Sequence, residues 1–459
     1  MGSIWQEIQQ FSYFKIQKMN NSNIGELKFF IAAFYIYIFM EGVLRKWILP
    51  GVPGSLLYTV KYLLLIIIAA LYVFKRQRGL IGVSSPIISV FSIYGWTVIF
   101  SATCITFLIN GFVVGSITII QYLSPIILVS VLPLWINDRN ALNTFLKYGA
   151  IIAFIVLILA IVQYASPPTA YINKYATEMK NGIAMVGGAA RVCSVFSYLT
   201  PLGDFCILVV TFTLCLIRSR SKLSKNIKKI AVTLFILGAL GCFMTGSRSV
   251  VIIAGGIILI TSIYESLWKM NHKFLLGVIA LSAMVTIYYT EFGIEAVDNF
   301  IERVNDSSHD VDSRITRTFD ITRMFNYAGV FGNGVGIVNM SVQGFLQQRS
   351  EVYSEEEIGR IMIEFGFFGF LLITGIRLFV LLYMIRISKT IKDEYLSKIS
   401  WATTIVIMPM SLYMQMCLYN WFAYIVYFTM LGLNLAINQI DNNESSSILA
   451  QETQGGKQY

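Results

Sequence analysis

Six arginines and no lysine lie in the 70 residues from Glu291 to Arg360, namely Arg303, Arg314, Arg317, Arg323, Arg349 and Arg360. Lysine serves equally well where only positive charge is wanted, whereas planar, bidentate capture of phosphate or carboxylate favours the guanidinium fork. A phosphate-bearing ligand is one reading of this bias. The other is pairing with Asp306, Asp310, Asp312 and Asp320, which would hold the segment together. Asp312 or Ser313 can cap a helix running to about Tyr327, on which Arg314 and Arg317 share a face at i,i+3 spacing.

Arg248 stands in Phe243-Met244-Thr245-Gly246-Ser247-Arg248-Ser249, between two apolar runs. An arginine deep in lipid costs about 2.5–3.5 kcal/mol on insertion scales, so Arg248 must face water, a cavity or an anion. Gly246 permits a tight turn, and Ser247 with the amides that follow can form an anion-binding helix N-terminus. A snorkelling arginine in a short hairpin is the plainer alternative. Arg191 brings another guanidinium to the end of a smaller loop near 165–195. Ahead of a later apolar run, Glu355, Glu356 and Glu357 precede Arg360 and Glu364. Glu356, Arg360 and Glu364 are spaced to line one helical face. The first three carboxylates also suit a helix N-terminus as simple dipole complements. Glu364, followed closely by membrane-length apolar sequence, has no such plain account.

These side chains must be positioned by apolar helices. Of the 459 residues 56% are hydrophobic and 13% charged, about half the charge usual in a soluble protein, which excludes a soluble enzyme and a disordered chain. Apolar runs near 27–44, 56–74, 86–109, 112–135, 148–164, 196–217, 230–246, 249–264, 274–290, 361–385, 399–417 and 419–438 are long enough to cross a bilayer. The expected fold is all-α and polytopic, with about 12 transmembrane helices and a large helical extracytoplasmic loop between the ninth and tenth. A cytoplasmic segment 1–26, helices over 27–290, the loop 291–360, helices over 361–438 and a cytoplasmic tail 439–459 follow from this. With the N-terminus inside, cytoplasmic segments hold 21 of the 35 basic residues and a net charge of +12, as the positive-inside rule requires. The basic balance therefore reports topology and anionic lipid headgroups, and makes no case for nucleic acid.

Other groups at membrane depth are Glu41, Arg45, Lys46, Lys61, Asp204 and Arg377, of which Glu41 and Arg45 can neutralise each other at i,i+4. Six scattered cysteines form no CxxC pair or disulfide framework, and two histidines argue against zinc. No cleavable signal peptide is expected, because Phe29–Met40 is followed by Glu41 and Arg45. Gly332-Asn333-Gly334-Val335-Gly336 lacks a Lys-Ser/Thr ending and falls on the outer side, so it is no nucleotide loop. Gly366 and Gly369 suit close helix packing.

In succession, Thr245-Gly246-Ser247-Arg248, Ser313-Arg314 through Arg323, Phe331-Gly332-Asn333-Gly334-Val335-Gly336 and Glu364-Phe365-Gly366-Phe367-Phe368-Gly369 resemble the O-antigen polymerase and O-antigen ligase superfamily. Arg191-Val192-Cys193-Ser194-Val195-Phe196 is similar to that family's first-loop arginine, and Arg323 stands eleven positions before Gly334, like the Arg-x10-Gly pattern of polymerases. Glu41-Gly42-Val43-Leu44-Arg45-Lys46-Trp47-Ile48-Leu49-Pro50 is similar to a segment of a polymerase-like subgroup. The resemblance covers roughly 190–370. Ligases of the family carry a His-Asn pair nine residues before the Glu of Glu-x-Gly; Glu355 and Glu356 stand there in this chain, which favours the polymerase branch.

The resemblance implies transfer of a glycan from an undecaprenyl-pyrophosphate donor to a hydroxyl of an acceptor repeat unit, on the outer face of a bacterial cytoplasmic membrane, without metal or cofactor. It implies diphosphate contacts from Arg248, Arg314, Arg317 and Arg323, with Arg191 and Arg360 as further contacts. Glu355 or Glu356 would be the general base, and Glu364 would orient Arg360. Partners would be the bilayer, the lipid-linked donor and acceptor, and a chain-length regulator or other assembly proteins. A ligase, a flippase or exporter of lipid-linked oligosaccharide, and a non-catalytic assembly partner are the alternatives.

Overall fold

The computed structural model describes residues 25–81, 86–176, 185–186, 189–219, 224–267, 326, 328–339, 342, 345–346 and 356–455. The expected span 274–290, most of the loop 291–360 with its helix from Asp312 to Tyr327, and most of the N-terminal segment 1–26 lie outside the described residues.

Helix α1 (Gly25–Val43) ends in a wider turn over Leu44–Ile48, and α2 is Gly54–Gln77. Helix α3 (Pro86–Ser101) likewise widens over Ala102–Thr106. Then come α4 (Phe112–Leu123), continued past Pro125 by α5 (Ile127–Trp135), and α6 (Arg139–Ala165). A two-residue antiparallel ladder, β1 (Met185–Val186) and β2 (Ala189–Ala190), precedes α7 (Leu199–Ile217), α8 (Lys225–Met244) and α9 (Arg248–Leu267). The chain closes with α10 (Glu357–Thr390), α11 (Glu394–Ser411) and α12 (Trp421–Gly455). Runs of Leu, Ile, Val and Phe this long are helical because lipid offers no partner for backbone polar groups, so each segment must satisfy its own.

Among the described residues nine helices are long and apolar enough to span a membrane, which makes this a multi-pass membrane protein. Of the other expected spans, α9 and α11 are helical but have less apolar length. Helix α10 is broken at Gly366. Beyond 438 the chain continues as α12 to Gly455.

Helix α12 is the axial element, buried along almost all of its apolar length and packed on α5 and α11. A polar knot joins it to its neighbours: the Asn434 amide donates to Thr403 Oγ1 (2.8 Å) and Ser400 Oγ (2.9 Å), and Ser388 Oγ lies 2.7 Å from Ser400 Oγ. Such bonds hold helices together where apolar burial against lipid gives no net drive.

The alternating helices place two sets of loops at opposite ends. One end is clasped by charges: Lys75 to Glu26 (3.1 Å), and Arg139 to both Glu444 (2.6 Å) and Asp393 (3.1 Å). Here Asp138, Ser224 and Asp393 cap the helices that follow them. The other end gathers residues 44–53, 166–176, 189–198, 245–247 and 412–420, and carries the candidate site.

Candidate functional site

Helix α8 stops at Met244, where Gly246, at φ +61°, turns the chain into α9 with Arg248 as its first residue. Thr245 shapes the turn: its hydroxyl donates to Cys242 O (2.8 Å) and accepts from Ser247 N (3.3 Å). Arg191 docks on the same turn, its Nε donating to Thr245 O at 3.0 Å, and Val192 N donates to Met244 O (3.5 Å). The structure thus brings Arg191 and the Arg248 turn together, two features 54 residues apart in sequence. Burial lowers the pKa of Arg191, with the nearby Tyr175 and Tyr198 opposing; a guanidinium starts so high that the cation persists.

The loop behind Arg191 is held by the segment around Glu41. Ser194 adopts φ +50°, and Gln163 clamps it by accepting from Ser194 N (2.6 Å) and donating to Ser194 O (3.3 Å). Lys46 Nζ donates to the same carbonyl and lies 3.4 Å from Cys193 Sγ. Gly42 abuts the Val195–Ser197 backbone so closely that a Cβ would collide with it, which explains the glycine between Glu41 and Val43. Glu41 is buried and neutralised by Arg45 (3.2 Å), as expected, and also by Lys61 (2.9 Å).

Helix α10 carries the acidic cluster. Glu356 is the exposed, extended residue before the helix. Arg360 is buried with its guanidinium over the Tyr419 ring at 5.4 Å. Glu364 is fully buried and directs its carboxylate to Tyr122 OH (2.8 Å) and the amides of Gly336 (2.9 Å) and Val338 (3.3 Å), instead of to Arg360. Glu364 therefore anchors the 328–339 loop.

That loop repairs the break in α10. Gly366 has φ +69°, which leaves carbonyls before it and amides after it without helical partners. Asn333 N and Gly334 N donate to Ile363 O (2.8 Å) and Glu364 O (3.1 Å), while Phe367 N and Phe368 N donate to Gly329 O and Val330 O, both at 3.2 Å. Residues 329–334 are thus a backbone splint. Gly332 and Gly366 approach backbone to backbone, where neither tolerates a Cβ.

Sequence reasoning gave Glu357 no role beyond the helix dipole. It is buried, paired with Arg377 at 2.7 Å, and accepts from Cys417 N (3.0 Å) and Leu418 N (2.6 Å), fixing the 412–420 turn that carries Tyr419. The same turn is tied to α7 by Asp204, which accepts from the side chains of Gln415 and Asn420. A charge inside apolar sequence, as at Arg377 and Asp204, was the available signal; the partner was not legible from spacing.

Glu355, Arg314, Arg317 and Arg323 lie outside the described residues. Among the described residues no three of His, Cys, Asp and Glu gather as a metal site. No known family model matches the chain, and no curated protein matches it.

Proposed function

We propose that this protein is a polysaccharide (O-antigen or exopolysaccharide) polymerase that transfers a glycan from an undecaprenyl-pyrophosphate donor to an acceptor repeat unit on the outer face of a bacterial cytoplasmic membrane. The observation that carries the reading is the bond from Arg191 to Thr245, which sets two arginine-bearing motifs on one turn at the end of the bundle where α9 begins. A helix N-terminus flanked by guanidinium groups is suited to an anionic leaving group.

In this reaction the acceptor hydroxyl oxygen attacks the anomeric carbon, and the bond from that carbon to the diphosphate oxygen breaks. Diphosphate departs with the bonding pair. Arg248 and Arg191, with Arg314, Arg317 and Arg323 from the large loop, hold the charge that develops on it. Arg360, fixed over Tyr419, is a further contact. Fixed donors in a partly desolvated site stabilise such charge without reorganising. The hydroxyl proton passes to Glu355 or Glu356, of which Glu356 is exposed beside the buried Arg360. Both termini are assigned to the cytoplasm.

The test uses purified protein in detergent with synthetic undecaprenyl-pyrophosphate oligosaccharide and no added nucleotide or metal. Longer glycans are expected, with Arg248→Ala slowing their formation by about a hundredfold or more. Normal elongation by Arg248→Ala removes the centre of the assignment. Transfer to a non-repeat acceptor instead makes the protein a ligase, and movement of the lipid across proteoliposomes without elongation makes it a transporter.

A further inference from the structure

A cluster of cations beside the Arg191 loop is not used by the proposed reaction. Glu41 is shared by Arg45 Nη1 (3.2 Å) and Lys61 Nζ (2.9 Å), and Lys46 lies on the next turn. Glu41, Lys46 and Lys61 are fully buried, while the Arg45 side chain keeps 13% of its surface accessible. Lys46 has a carbonyl and a thiol for partners, and Lys61 lies over the rings of Tyr58 (3.4 Å) and Trp421 (3.6 Å). Among the described residues, two cations, Arg45 and Lys61, therefore share one carboxylate. Burying charge in this ratio is costly unless a further anion is shared.

The guanidinium of Arg45 shows where that anion belongs. Nη1 makes both of its contacts, to Glu41 and, at 3.4 Å, to Ser197 Oγ. Nε is buried and has no acceptor. Nη2 faces the first residue of α2, standing 2.9 Å from where a Cβ on Gly54 would be. Helix α2 begins there after Pro53, with no side-chain cap and no acidic residue in its first turn. An arginine against the positive end of a 24-residue helix is the wrong sign for the helix dipole. An oxyanion between them satisfies both, taking Arg45 on one side and the first amides of α2 on the other. Exposed Ile48, Leu49 and Leu56 flank the position, so its surroundings are those of the lipid boundary.

We infer that Arg45 and the N-terminus of α2 bind the phosphate of a membrane lipid headgroup. This site is distinct from the arginine turn at Thr245–Arg248 and does not depend on the reaction proposed for it. The same phosphate chemistry is available from free phosphate, and the apolar flank assigns the lipid as its source.

The full chain in neutral detergent, titrated with dioleoyl-phosphatidylglycerol and read by native mass spectrometry, tests this. The expected result is one tight lipid whose affinity falls about tenfold in Arg45→Gln, the loss of a charge-assisted contact, and is unchanged in Lys147→Gln, an exposed cation on α6. Arg45→Lys keeps the charge and a partner for Glu41 but not the fork, so it folds if Arg45→Gln does not, and its affinity is intermediate. Unchanged affinity in Arg45→Gln, or in Arg45→Lys where that alone folds, overturns the inference. So does equal binding of dioleoylglycerol, which has no phosphate. Protection by millimolar inorganic phosphate in place of the lipid assigns the site to a free anion and overturns the lipid assignment.

Discussion

Buried charge is where single residues matter most in this protein, because removing one partner of a desolvated pair leaves the other uncompensated, at a cost of about 3–5 kcal/mol. Glu357 and Arg377 are the sharpest case. Besides Glu357, Arg377 donates to Met410 O (3.2 Å), and Glu357 also accepts two amides of the 412–420 turn. Arg377→Leu is therefore expected to lower unfolding free energy in detergent by about 3–5 kcal/mol. The charge swap Glu357→Arg with Arg377→Glu should fail to restore it, since an arginine at 357 cannot accept from Cys417 and Leu418. Recovery by the swap would reduce the cluster to an ion pair alone. The sequence disclosed Glu41 with Arg45 because i,i+4 spacing is a local rule, and the structure adds only Lys61 to that pair. It could not disclose Glu357 with Arg377, whose 20-residue separation becomes contact across the break in α10. The same holds for Asp204, whose partners lie more than 200 residues away.

At the scale of elements, α10 and the 328–339 loop are one unit, since each supplies the hydrogen bonds that the other lacks. Gly366→Ala must adopt a left-handed backbone and push a methyl group into the Val330–Gly332 backbone. The positive φ alone costs about 1–2 kcal/mol, and the collision adds to it. Gly375→Ala, on the same helix with nothing within 4 Å, is the control and should not destabilise. Thermal unfolding of the two variants compares them directly, and equal midpoints would mean that the loop is not a splint. Gly332-Asn333-Gly334-Val335-Gly336 stood out in the sequence, and its lack of a phosphate-loop ending excluded one role. The actual role was hidden because it depends on a helix break 30 residues later, which Gly366 alone does not announce: most glycines in membrane helices serve packing.

For the whole molecule, orientation decides whether the arginine turn can meet a substrate outside the cell. The far end carries Lys75, Arg76, Arg78, Arg139, Lys225, Lys228 and Lys392 on or beside its helix ends, whereas the described turns at the site end hold few lysines. Charge of this asymmetry is retained in the cytoplasm during insertion, and this is the basis for proposing that the site end lies outside. The sequence carried this argument well, since hydropathy and loop charge are read locally and most apolar runs became helices. Only their breaks and extensions, at Gly366 and beyond Ile437, needed three dimensions. Orientation is measurable with single cysteines in a Cys104→Ser background, which removes the exposed native thiol. Met414→Cys, 64% exposed in the turn after α11, should react with a membrane-impermeant maleimide added to intact cells. Leu80→Cys, just beyond α2 at the far end, should react only after the membrane is opened. The reverse pattern would place Arg191 and Arg248 in the cytoplasm, where a polymerase acting on an outward-facing lipid-linked glycan could not use them.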